Sequence, residues 1–300
     1  MQEHVLIIGC GQIGKRVATL LCKRDYKVTG TSRGDTVPAG WPEHCNHFSL
    51  DLDSSTYDLR NFSHTKAIFY FAPPQTQGEH DQRLQKFLTK LEPLKQLKKC
   101  VYISTTGVYG DCSGRWIDEN EPLKPSNDRS RRRVSAEQQW RHWAGVHNCA
   151  LSILRVSGIY AHNMLPIDRL KKGLSVLRQE DALPSNRIHA DDLANICVRA
   201  MQVSTGEQIF NIADDQPSTM SDYFTQVAKR AGLPTPKVVD WQTAQTSMSP
   251  AMLSYLGESR RIRNNKIKQV LAIELQYANL DAGLDQCFPA PETKDKHLKE

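Results

Sequence analysis

The stretch from His4 to Ser32, HVLIIGCGQIGKRVATLLCKRDYKVTGTS, reads as strand, turn, helix, strand. The apolar run HVLII stops at a glycine, GCGQIG follows, KRVATLLCKRD has the make-up of a helix, and YKVTGTS begins a second strand. Gly9, Gly11 and Gly14 form G-x-G-x-x-G. In this setting the first glycine makes a tight turn, the second lets backbone approach a pyrophosphate, and the third allows close helix packing. Backbone amides from Gln12 and Ile13 onward then face the phosphates at the positive end of a helix. A βαβ unit that binds a dinucleotide is the expectation.

The end of the second strand chooses the cofactor. An NAD site carries an Asp or Glu there to bond the ribose 2'-hydroxyl. Here the residues are Thr31, Ser32 and Arg33. A hydroxyl and a guanidinium suit a 2'-phosphate, which a carboxylate repels. NADP(H) is therefore expected over NAD(H), with Ser32 and Arg33 as its readers. The alternative has Arg33 in water and Asp35 supplying the acid.

Further strands are expected at 47 to 53, 66 to 74 and 99 to 110. A helix from Asp81 to Lys98 is expected to carry Leu84, Phe87, Leu88, Leu91, Leu94 and Leu97 on one face. Strands alternating with helices imply an α/β fold with a Rossmann-type, doubly wound parallel sheet. Asp51, Leu52, Ala72 and Pro73 fall at strand ends, where loops line the crevice of such a sheet.

Composition bounds the rest. The 300 residues are 39% hydrophobic and 24% charged, with a net charge of +6, ordinary for a soluble globular chain. The N-terminus lacks a signal-peptide pattern, and no apolar run reaches the roughly 20 residues of a membrane span. Eight cysteines are scattered without CxxC or metal-type pairing. They read as reduced structural thiols of a cytoplasmic protein, with no metal.

STTGVYGD, Ser104 to Asp111, resembles the extended short-chain dehydrogenase/reductase superfamily, in its NAD-dependent epimerase/dehydratase group. LRVSGIY (154 to 160), RIHADDLA (187 to 194), QIFNIAD (208 to 214) and SRRIRNNKIKQVLAIELQY (259 to 277) extend the likeness over nearly the whole chain. The resemblance implies that residues 1–157 and 187–212 form the dinucleotide-binding domain. Residues 158–186 and 213–288 would form a smaller C-terminal substrate lobe, and 289–300 a flexible tail. It also implies that Thr105, four residues before Tyr109, orients a substrate oxygen, and that His189 makes a structural hydrogen bond at the lobe junction.

The family's proton donor is the tyrosine of Y-x-x-x-K, four residues before a lysine that precedes a glutamate by four. Anchored on Glu137, the lysine position holds Arg133 and the tyrosine position Arg129. These three share a helix face at i, i+4, i+8. Arg133 can bond a ribose or phosphate, whereas Arg129 cannot shuttle a proton because a guanidinium stays protonated. Thr106 and Gly107 occupy the positions of the dehydratases' Asp and Glu. What remains resembles the atypical, YeeZ-like branch of the superfamily. Tyr109 and Tyr160 are candidate stand-in acids, each also readable as packing.

Arg131 and Arg132 are expected on a solvated face. Four arginines without interleaved aromatics make a poor nucleic-acid footprint. The expected partner is instead a small, anionic substrate, with neither nucleic acid nor membrane. Arg129, Asn163 and Arg187 are its candidate contacts, and Thr105, Tyr109 and Arg133 the candidate catalytic residues. The resulting expectation is an NADP-dependent oxidoreductase or epimerase working on a carbonyl or secondary alcohol, nucleotide-sugars among the candidate substrates. The competing one is a non-catalytic NADP(H) sensor or scaffold.

Overall fold

In the computed structural model the described residues are 2–92, 94–203 and 205–289. Of the tail expected at 289–300, residues 290–300 lie outside them. The strand that opens the chain, β1 (His4–Ile8), is buried along its length. Val5 and Ile7 enter one hydrophobic cluster and Leu6 and Ile8 another, so the two-residue period of a strand feeds both faces of the sheet.

The sheet continues with β2 (Lys27–Ser32), β3 (Asn46–Ser49), β4 (Thr65–Tyr70), β5 (Lys99–Thr105), β6 (Ala150–Val156) and β7 (Glu207–Ile212). Every pairing is parallel and the spatial order is β3-β2-β1-β4-β5-β6-β7. The order reverses between β1 and β4, which opens a crevice at their carboxyl ends.

Helices cover both faces. Helix α1 (Gln12–Cys22) carries Val17, Ala18 and Leu21 into the cluster of Val5 and Ile7. Helices α2 (Gln82–Thr89) and α3 (Asp128–Val146) bring Leu84, Phe87 and Trp140 against Leu6 and Ile8. Helix α4 (Ala190–Met201) packs beside α1. Its N-cap is His189, fully buried, whose Nδ1 accepts from the Asp191 amide at 3.3 Å.

Helix α2 is shorter than the apolar spacing predicts. Leu91, Leu94 and Leu97 remain buried, but on turns after Thr89. Residue 92 precedes a proline, which disfavours helical geometry there, so burial continues where the helix does not.

A separate cluster gathers Tyr160, Leu170, Val176 and Leu177 with Phe224 and Val227 of α5 (Met220–Arg230) and with Leu280 and Leu284. Within the span assigned to the smaller lobe, Ile267 and Leu271 pack instead into the cluster of α1 and α4. One cysteine pair departs from the expected reduced thiols. The end of α1 meets the turn before β3, and Cys22 and Cys45 are joined there as a disulfide. Among the described residues no helix is long and apolar enough to cross a membrane.

Candidate functional site

The glycine turn sits at the switch point, tied to β2 by the amides of Gly9 and Cys10, which donate to the Thr31 carbonyl at 3.2 and 2.9 Å. Two of its glycines are explained by the protein. Gly9 has φ +110°, and a Cβ on Gly14 would overlap the Gly9 carbonyl. Gly11 has no such reason: a Cβ there would meet nothing within 4 Å. No side chain caps α1 at Gly11, which leaves first-turn amides free for an anion. A phosphate cradle that a side chain would fill fits these facts.

A cavity of about 590 Å³ opens from this turn. Gly9, Gly11, Gln12, Ile13 and Gly14 line it, together with Ser32 and Arg33. Asp51, Leu52, Ala72 and Pro73 line it from the ends of β3 and β4, and Arg133 of α3 closes the far end. Asp53 also lines it, but Arg83 holds that carboxylate in a fork of 2.8 and 2.6 Å bonds. That hydrogen bond lowers the pKa of Asp53. The Ser32 hydroxyl is 2.7 Å from His47 Nε2. Burial pushes the Cys10 thiol up to about 12, so this cavity residue stays a neutral thiol rather than a nucleophile.

Pro73, Arg133 and Ile159 also line a second cavity, of about 680 Å³. Thr105, Arg129 and Arg187 line this one. The Thr105 hydroxyl accepts from the Gly107 amide at 3.2 Å, which leaves its own proton available to a ligand. Arg133 donates to the Tyr102 hydroxyl at 3.1 Å and the Ile103 carbonyl at 3.0 Å. Burial pushes the Tyr102 phenol up to about 12 against the pull of Arg133, so it is a neutral support for the guanidinium.

Four expectations change. Tyr109 is buried away from both cavities, donating to Asn211 at 2.7 Å and accepting from Arg155 at 2.9 Å. Burial raises it to about 12, and its surroundings make it structural rather than catalytic. Asn163 does not join the second cavity, because the chain after Tyr160 folds back over α1 and Asn163 donates to the Gln12 side chain at 2.8 Å. Arg132 is not solvated: the loop before α2 covers the first turns of α3, and Arg132 is buried beneath it, donating to the Gly78 carbonyl. Tyr160, the other stand-in, is also buried and donates to the Asn279 carbonyl at 3.4 Å.

Two features escaped the sequence. Glu137 accepts from Ser104 at 2.5 Å and pairs with Arg155 at 2.8 Å, both almost fully buried, and this fixes α3 against the sheet. Tyr255, from the helix Pro250–Leu256, is the one phenol lining either cavity among the described residues. Its hydroxyl accepts from Arg129 at 2.6 Å. No spacing in the sequence links residues 126 positions apart.

A parallel sheet with a bare helix start at its switch point, opening into a second cavity, defines a Rossmann-type dinucleotide-binding α/β protein. Residues 5–213 match the family described as NAD dependent epimerase/dehydratase, and the chain belongs to it. Protein YeeZ of Escherichia coli K12 is 24% identical over 283 residues, spanning 92% of this chain and 96% of its own. A conserved protein of unknown function from Silicibacter pomeroyi superimposes with a TM-score of 0.82 at 28% identity, over 95% of this chain and 98% of its own. UDP-glucose 4-epimerase from Thermotoga maritima, solved with UDP-glucose, gives 0.74 at 16% identity over 95% and 97%, a likeness of fold.

Proposed function

We propose that the protein is an NADP(H)-linked oxidoreductase or epimerase-type enzyme acting on a carbonyl or secondary alcohol. The dinucleotide would occupy the cavity at the glycine turn, and the substrate the adjoining one beneath the smaller lobe built by segments 158–186 and 213–288. The observation that carries this reading is Gly11, whose missing side chain serves no contact inside the protein and leaves the path to the bare helix start open.

Preference for the 2'-phosphate form is supported by Arg33 and Ser32 at the cavity edge and by the engagement of Asp53 with Arg83. The bound dinucleotide would supply or accept a hydride. Thr105 would then orient the reacting oxygen through its free hydroxyl proton, with Arg133 at the junction of the cavities. The proton donor this reading needs is Tyr255, the one phenol in the substrate cavity, to which α3 contributes Ser130 and three arginines. Nucleotide-sugars, the ligands of structurally similar epimerases, are one class of substrate to test.

A second reading, a non-catalytic NADP(H) sensor, is favoured by one observation: Arg129 and Arg133 stand where the family has Tyr and Lys. Single-turnover oxidation of NADPH against a panel of ketones, oxo acids and oxidised sugars separates the two. The enzyme reading expects hydride transfer that Tyr255→Phe slows. Tight dinucleotide binding with no transfer to any member of the panel would establish the sensor.

A further inference from the structure

We propose that the second cavity is a receptor for a small organic molecule with two separate anionic groups, one held by Arg132 with Arg129 and the other by Arg187. The inference rests on the reading of that cavity as the substrate side, and it names what the substrate carries.

Arg132 and Arg187 are each only 6% exposed, and both line the cavity. The hydrogen bond of Arg132 goes to the Gly78 carbonyl, and its buried Nε has no partner. Arg187 lies 4.1 Å from the ring centre of Tyr223. It donates to the Ser185 hydroxyl at 3.4 Å, the Thr219 carbonyl at 3.5 Å and the Met220 sulfur at 3.0 Å. Its Nε is also buried without a partner. Among the described residues neither guanidinium forms an ion pair. Burial pushes the neighbouring Asp214 carboxyl up to about 8 against the pull of Arg187, and burial lowers the pKa of Arg187 itself while Asp214 and Asp222 face it without an ion pair.

A buried charge without a counter-charge is costly, and proteins keep such groups paired. Here the cavity wall holds six arginines and one acid, Glu258, already held by Arg260 at 3.0 Å. Asp81 acts on Arg132, and Asp214 and Asp222 on Arg187, only at longer range, so the direct counter-charge on the cavity side is assigned to a ligand. Arg132 comes from α3 and Arg187 from the short strand Arg187–His189, so two different elements each present a cation without an ion pair, and each is assigned one anionic group of the ligand. Thr105 and Ser157 also line the cavity, Ser157 with a buried, unpartnered hydroxyl. The middle of the ligand accordingly carries hydroxyl or carbonyl oxygens, and its ends carry carboxylate or phosphate.

The test is calorimetric titration at fixed ionic strength with fructose 1,6-bisphosphate, fructose 6-phosphate and UDP-glucose as probes. The bisphosphate is expected to bind at least about tenfold tighter than the monophosphate. Arg132→Gln and Arg187→Gln are each expected to erase that advantage, while Arg131→Gln leaves it intact. A ligand-binding role also predicts that the two glutamine variants, without ligand, melt no lower than the parent, since each loses an unpaired buried charge; a purely structural role predicts lower melting. NADPH titration of the same proteins reports on the dinucleotide cavity separately, so failure of the functional reading is seen there. Equal binding of bisphosphate and monophosphate, equal losses from Arg131→Gln, or tight UDP-glucose binding indifferent to Arg132 would overturn the ligand with two separate anionic groups.

Discussion

The guanidinium of Arg129 lies 4.3 Å from the ring centre of Tyr255 and donates a 2.6 Å hydrogen bond to its hydroxyl. Arg129 belongs to α3 and Tyr255 to the helix Pro250–Leu256, so the contact joins two segments across the cavity they line. If Tyr255 moves the proton, Tyr255→Phe lowers kcat by roughly 10²- to 10⁴-fold, the usual worth of a general acid. NADPH affinity is expected to stay within about twofold, because Tyr255 does not line the dinucleotide cavity. Unchanged kcat in the variant would remove Tyr255 from the chemistry.

Arg133 and Arg131 are two positions apart and are expected to behave differently. Arg133 lines both cavities and is oriented by Tyr102 and Ile103, whereas Arg131 pairs with Asp128 at the surface. Loss of a charge-assisted contact of roughly 1.5–3 kcal/mol should weaken NADPH binding by Arg133→Ala about ten- to hundredfold. Arg131→Ala should be nearly silent. Fluorescence titration compares them directly, and equal losses would place the effect in general surface charge.

The buried pair of Glu137 and Arg155 makes a stability prediction. Glu137→Leu strands Arg155 beside Tyr109, at a cost of about 3–5 kcal/mol. Adding Arg155→Met removes the orphan charge and should recover much of the loss. Urea unfolding measures both, and a double variant as unstable as the sum of the singles would contradict the pairing.

His4 should make stability depend on pH. Its Nδ1 is 2.9 Å from the Thr65 hydroxyl and its Nε2 2.9 Å from that of Thr29. Burial, then the neighbouring His64 and Lys27, hold its pKa down at about 4 from an ordinary 6.5. Between these values the unfolded chain binds a proton that the native one does not, so stability falls as pH drops through the window, by about 3 kcal/mol in all. Unfolding at a series of pH values should show a shallower slope for His4→Gln, and identical slopes would exclude His4 as the source.

The sheet was legible because β1, β4 and β6 are runs buried on both faces and the first turn carries three glycines at fixed spacing. Spacing misled where burial outlasts regular structure, as at Leu91, Leu94 and Leu97 after the end of α2. It also misled at Arg132, since a helical wheel does not show the loop that folds over it. Tyr255, Asn211 and Arg155 could not be joined to Arg129 and Tyr109 from sequence, because those contacts form only when distant segments meet.

The most direct measurement is calorimetric titration of the parent, Gly11→Val and Arg33→Ala with NADPH and NADH. NADPH should bind the parent more tightly than NADH. Arg33→Ala should lose about tenfold or more toward NADPH alone, the worth of a charge-assisted contact. Gly11→Val should fold normally, since a Cβ at this position meets nothing within 4 Å, and bind neither dinucleotide. Near-parental binding by folded Gly11→Val, or no binding of either dinucleotide by the parent, would contradict the assignment of this cavity.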